Sequence, residues 1–140
     1  MVMPMGRALL LLGILIALAT PAASAAVPFF DASRLYSEAE FTAAIKPYAD
    51  SIARNANDAE AHYWLGVAYL HAFKLYKFGL ASYAGGFGGR AVASLERSVQ
   101  LKADPLVMMA LLDAYIVVGG RVHEALLDRL LAALPSLPLK

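Results

Sequence analysis

Apolar residues recur every three to four positions along most of this chain, the spacing that gathers them on one side of an α-helix. The first such run extends from about Glu38 to Arg54, with Phe41, Ala44, Ile45, Tyr48 and Ile52 on one stripe. Ser37 and Glu40 stand at its start with the spacing of a capping box, in which the hydroxyl and the carboxylate each satisfy a backbone N–H that the first turn leaves unpaired. Pro47 lies inside the run, removes one backbone hydrogen bond and predicts a bend there. Asn55-Ala56-Asn57 breaks the periodicity, and Asn57 with Glu60 repeats the capping arrangement ahead of a long central helix. At about 100° per residue this helix places Trp64, Leu65, Ala68, Tyr69, Ala72, Phe73, Leu75 and Tyr76 on one broad arc. Glu60, His71, Lys74 and Lys77 lie opposite, yet Tyr63, Val67, Leu70 and Phe78 share that side with them, which predicts a central element touched on two sides.

The stretch Ser82 to Gly89 carries Gly85, Gly86, Gly88 and Gly89, and each glycine costs a helix about 1 kcal/mol relative to alanine, so a loop is predicted there. A third helix runs from near Arg90 to about Leu101, with Ala91, Leu95, Ser98 and Val99 facing inward. Asp104-Pro105 supplies a cap and a first-turn proline for a fourth, which continues to about Val118 and ends at Gly119-Gly120. The last helix, about Val122 to Leu134, stops before Pro135 and Pro138. Residues 26–36 are too short for an element of their own and form a lead-in segment laid on the core through Phe29 and Phe30. The pattern thus predicts an all-α domain over residues 37–134, with about five helices, one extended central helix, a glycine-rich loop and a short tail, 135–140.

Composition changes this picture at the N-terminus. A hydrophobic share of 60% and a mean hydropathy of +0.58 are high for a chain of 140 residues that packs as one domain. Part of the excess sits between Ala8 and Ala19, behind Arg7 and ahead of Pro21 and Ala22-Ala23-Ser24-Ala25, the layout of a secretory signal peptide over residues 1–25. The chain is therefore expected to be exported, to the periplasm or outside the cell; if the segment stays uncleaved, it anchors the domain to a membrane. Its removal takes away Arg7 and no acid, so the net charge of +1 becomes zero. No basic stripe remains for nucleic acid, whose phosphates supply most of the affinity in such complexes. The absence of cysteine excludes disulfides, thiolate metal sites and a cysteine nucleophile.

Leu65-Gly66 followed by Tyr69 lines up with Leu111-Leu112 followed by Tyr115, and Asp58-Ala59 lines up with Asp104-Pro105. Each set precedes a second helix with small residues on its inner face. This resembles the tetratricopeptide repeat, a helix-turn-helix unit of about 34 residues in which small residues let two helices nest. Leu65, Gly66, Tyr69, Ala91, Leu95 and Ser98 fit the pattern in the first unit, and Ala44, Tyr48 and Ser51 fit the second helix of a preceding half-unit. The chain departs from the family in four places: His62 stands where tryptophan is usual, Leu112 replaces glycine, an extra residue precedes Ala125, and about a dozen residues are inserted, chiefly between Lys74 and Gly89. The resemblance implies a short α-solenoid of helical hairpins that binds a protein or peptide and does no chemistry. On the face that lines the concave groove in that family stand Tyr63, Val67, Leu70, His71 and Lys74, then Leu106, Met109, Asp113 and Val117. Such a groove is unusually apolar for a surface left in water.

Other chemistry is thinly represented. His62 and His71 are nine residues apart on one helix and point to opposite sides, and His123 is distant, so no metal site or cofactor is expected. No nucleophile, base and acid fall in a recognisable arrangement, and Asp113 is a lone acid in an apolar helix, facing a groove or paired with a lysine. Gly88, Gly89 and Arg90 open a helix, where free N–H groups and a guanidinium suit an anion, although they match no phosphate-loop or dinucleotide fingerprint. A helical protein that holds a small apolar or acidic solute in the groove is the alternative to the peptide binder, and an enzyme with an unrecognised site is the third possibility. The inserted arm, with Tyr76, Phe78, Leu80, Tyr83 and Phe87, either pairs with a second copy in a homodimer or folds back to cap its own repeat.

Overall fold

The computed structural model describes residues 26–119 and 124–133; the stretch 1–25 expected to be a signal peptide, residues 120–123 with His123, and residues 134–140 lie outside them. Across the described residues the chain is all-α, with five helices and no strand. They are α1 (Glu38–Arg54), α2 (Ala59–Lys77), α3 (Phe87–Leu101), α4 (Pro105–Val118) and α5 (Glu124–Ala133), with one 3-10 turn at Ser82–Ala84. The predicted capping box closes α1: Glu40 N donates to Ser37 Oγ at 3.3 Å, and Ser37 N donates to Glu40 Oε2 at 2.9 Å. Helix α1 runs without interruption past Pro47.

The cap of α2 is Asp58 and not Asn57. A carboxylate has two acceptor oxygens, and Asp58 uses both: Ala61 N donates to one at 3.0 Å, and the buried Ser51 hydroxyl of α1 donates to the other at 2.7 Å. Burial alone would raise the Asp58 carboxyl, but the Ser51, Ala61 and Glu60 hydrogen bonds hold it below its ordinary value. Asn57 instead accepts from Arg97 of α3 at 2.8 Å.

Small residues let α2 approach its neighbours, since Ala61, Gly66, Ala68 and Ala72 are buried along it. A methyl group at Gly66 would lie 2.6 Å from Leu95 Cγ and 3.2 Å from the Leu95 backbone nitrogen, so α3 rests on the α2 backbone itself. The inward residues predicted for α3, Ala91, Leu95, Ser98 and Val99, are all buried, and the Ser98 hydroxyl donates to Ala59 O at 2.8 Å. One core cluster joins α2 through α5 around Leu95 and Leu111. The other is aromatic. Phe41 of α1 is almost wholly buried, with the rings of Phe30, Tyr36, Tyr69, Tyr83 and Phe87 at centroid distances of 5.3 to 6.5 Å.

The glycine-rich region departs from its predicted form. Helix α2 ends at Lys77, Gly79 takes a φ of 78° that turns the chain, and the arm folds back on its own molecule, where the Tyr83 hydroxyl donates to Tyr36 O at 2.9 Å. Helix α3 then starts at Phe87, so Gly88 and Gly89 belong to its first turn. Gly88 is buried, and a methyl group there would sit 3.1 Å from Phe73 and Val118; that close packing outweighs the modest helix cost of glycine. Tyr76, placed on the core arc by periodicity, is exposed and stacks on Phe73 at 6.0 Å.

Gly66→Ala should therefore destabilise the protein by about 1–3 kcal/mol, because Leu95 is fully buried and its backbone cannot retreat. Gly89→Ala, which meets open space in the same hairpin, should be neutral or slightly stabilising. Urea unfolding of both variants checks the contrast; equal changes in the two variants, of either sign, would mean that the α2–α3 contact at Gly66 does not set the effect.

Candidate functional site

The residues expected to share a groove do not all meet. Tyr63 and Val67 are partly buried against the larger core, but Leu70 is only 5% exposed and belongs to that core. His71 looks the other way: its Nε2 lies 3.0 Å from Arg34 O, and its ring is 5.8 Å from that of Phe30. The lead-in segment covers that side of α2, which periodicity alone does not reveal. Leu106 of α4, 61% exposed, lines a cleft with Tyr63, and Met109 and Ile116, 47% and 66% exposed, continue the same side of α4. Ile116 was not singled out by the sequence pattern, because α4 is apolar on every side and its periodicity does not mark the outward face.

At the C-terminal ends of α2 and α4, Lys74 Nζ lies 2.5 Å from Asp113 Oδ2 and Lys77 Nζ donates to Val117 O at 2.9 Å. Both members of the ion pair are substantially exposed, so it contributes at most about 1 kcal/mol and chiefly fixes the spacing of the helices. Two clefts lie along α2 and α4, one near their starts and one at these contacts. One, of about 330 Å³, lies between Tyr63 and Leu106, with Glu60, Lys102 and Asp104 at its edge. The other, of about 370 Å³, is lined by Lys74, Lys77, Asp113, Val117 and the exposed Phe78. Both open to solvent. Burial, followed by the charge of Asp104, raises the Tyr63 hydroxyl above its ordinary value.

The glycine cradle is not assembled as an open anion site. Gly88 faces inward, Gly89 faces open space, and the Arg90 guanidinium lies over the rings of Phe87 and Tyr69, at 5.5 and 5.8 Å. Among the described residues no three His, Asp or Glu side chains gather in a way that would hold a metal ion. His62 Nε2 lies 3.0 Å from Ala56 O, beside the α1–α2 junction. No described helix is long and apolar enough to cross a membrane.

On the other side of α4, the buried Tyr115 hydroxyl donates to the Glu96 carboxylate of α3. Burial first, and then the hydrogen bond and the charge of Glu96, push the Tyr115 hydroxyl up to about 12. Nothing in the periodicity of either helix marks this pair. Comparison of the chain with protein-family models, with curated proteins and with solved structures finds no match.

Alkaline titration checks the Tyr115 environment. The folded state holds the neutral phenol more tightly than the unfolded state does, so this stability is complete below pH 10 and is lost as the pH rises toward about 12. Tyr115→Phe should abolish that component of the alkaline stability loss, and phenolate absorbance should show one late-ionising tyrosine fewer. A variant whose alkaline unfolding matches that of the wild type would contradict the assignment.

Proposed function

We propose that this chain is an exported, non-catalytic helical module, built of tetratricopeptide-like hairpins α2–α3 and α4–α5 behind the half-unit α1, that binds a protein or peptide segment between α2 and α4. The observation that carries this reading is the exposed stripe of Leu106, Met109 and Ile116 on α4, whose first residue lines a cleft with Tyr63. Large apolar side chains aligned on one helix face and left in water mark interaction surfaces, whereas scattered ones do not. Helix α4 is about 21 Å long, the span of about six residues of extended peptide. The two clefts supply recesses at either end of that span, acidic beside Glu60 and Asp104 and basic beside Lys74 and Lys77. Their openness favours an extended segment over an enclosed small solute. The 1–25 stretch supports export by its composition.

Panning of a random peptide library on the purified protein, followed by fluorescence anisotropy with an enriched peptide, tests the reading. Leu106→Ser with Met109→Ser should weaken binding about tenfold or more and leave the melting temperature within a few degrees of wild type, since both side chains are exposed. Leu70→Ser should instead cost about 2–5 kcal/mol of stability as a core substitution. Failure to enrich any sequence, or binding that survives the paired substitution, would reject the groove.

A further inference from the structure

The exposed stripe of α4 lies between two ends of opposite charge. At its start Asp104 is held as the helix cap, accepting from Leu106 N at 2.8 Å, and Glu60 and Lys102 share the cleft with it, two carboxylates to one ammonium. At its end Lys77 Nζ donates to Val117 O at 2.9 Å and Lys74 pairs with Asp113, two ammoniums to one carboxylate. The 14 residues of α4 set these ends about 21 Å apart, well beyond the screening length of about 8 Å at physiological salt, so neither end neutralises the other.

A surface that is acidic, apolar and basic in that order is complementary to itself turned end for end. Two copies related by a two-fold axis perpendicular to α4 lay their stripes antiparallel, and such an isologous contact makes each pairing twice. The acidic end of each copy then meets the basic end of the other. A two-fold axis running along α4 would lay like ends together, so charge selects the antiparallel arrangement. An exposed aromatic side chain fits the same geometry. Tyr83 and Phe87 of the inserted arm pack on their own molecule, whereas Phe78 is 79% exposed and lines the cleft at the basic end. The two-fold rotation carries it to the other copy's acidic end, where a cleft of about 330 Å³ is walled by Ala59, Tyr63, Leu106 and Val107.

We propose that a second copy of this chain covers the stripe, the two α4 helices antiparallel, with Glu60 and Asp104 of each copy facing Lys74 and Lys77 of the other. This rests on the reading of the stripe as an interaction surface and names its occupant. The contact amounts to one helix face and one aromatic side chain from each copy, an extent that belongs to weak, reversible dimers.

Sedimentation velocity on the purified protein over a range of concentrations tests it. A monomer–dimer equilibrium is expected, with a Kd of about 100 μM or tighter that weakens as salt is raised. Glu60→Lys and Lys77→Glu, both at exposed positions, should each weaken self-association about tenfold or more by setting like charges across the contact. An equimolar mixture of the two variants should recover a dimer of near wild-type affinity, because one contact of the mixed pair is native and the other has its charges exchanged. A folding defect is not rescued in this way. A monomer at every concentration up to about 1 mM overturns the proposal, and a library peptide that still binds between α2 and α4 would then leave the peptide reading standing. A dimer that appears only when residues 134–140 are removed makes the chain's own tail the occupant, which also overturns it. So does a dimer indifferent to both charge reversals and to Leu106→Ser with Met109→Ser, or a mixture that stays monomeric. A dimer that meets these tests while no library peptide is enriched supports the second copy and removes the foreign peptide.

Discussion

The separation of α2 and α3 is set by a side chain that Gly66 does not have. With Leu95 resting on the bare backbone at that point, the two helices nest closely enough to bury Leu95 completely and to bring the Ser98 hydroxyl onto Ala59 O. From that contact follows the position of α4, whose Leu111 and Tyr115 pack on the same cluster, and then that of α5 through Leu126 and Leu130. On its other side, α2 offers Ala68 and Ala72 to the aromatic cluster around Phe41. A helix with small residues toward two neighbours accepts both, which is why α2 is the centre of the molecule and why its remaining side, with Tyr63 and Val67, is left to face α4.

Junctions between helices are secured by polar groups chosen for their number of acceptors. Asp58 caps α2 with one oxygen and binds Ser51 of α1 with the other, so the start of one helix and the inner face of the preceding one are a single hydrogen-bonded unit. Asp104 caps α4 by accepting from Leu106 N at 2.8 Å, and its charge also reaches Tyr63 across the cleft. At the opposite end Lys74–Asp113 and Lys77–Val117 link α2 to α4. These ties fix the spacing of α2 and α4 while Leu106, Met109 and Ile116 stay exposed.

Local features were legible wherever a residue and its immediate neighbours decide the outcome. The Ser37–Glu40 box, the inward face of α3 and the Asp104-Pro105 start of α4 each depend on residues within one or two turns, and each stands where periodicity and capping place it. Features decided across the fold were not legible. Asn57 and Asp58 are both good caps, and only Ser51, on another helix, selects Asp58. Gly88 is helical because Phe73 and Val118 come close to it, which no propensity encodes. Leu70 and His71, both expected on the groove face, are set elsewhere: Leu70 in the core shared with α4, and His71 against the lead-in segment. In α4 nearly every residue is apolar, so the stripe that remains in water is set by which neighbours arrive, and Ile116 joins Leu106 and Met109 for that reason.

Whether a polypeptide occupies the apolar stripe of α4 is open to a direct measurement. A photoreactive phenylalanine analogue at Met109, compared with the same analogue at the exposed Thr42 on α1, reports what touches each surface in the producing organism. A groove that holds a polypeptide predicts a discrete protein adduct from position 109 that is absent from position 42. No adduct from position 109, or the same adducts from both positions, would contradict it.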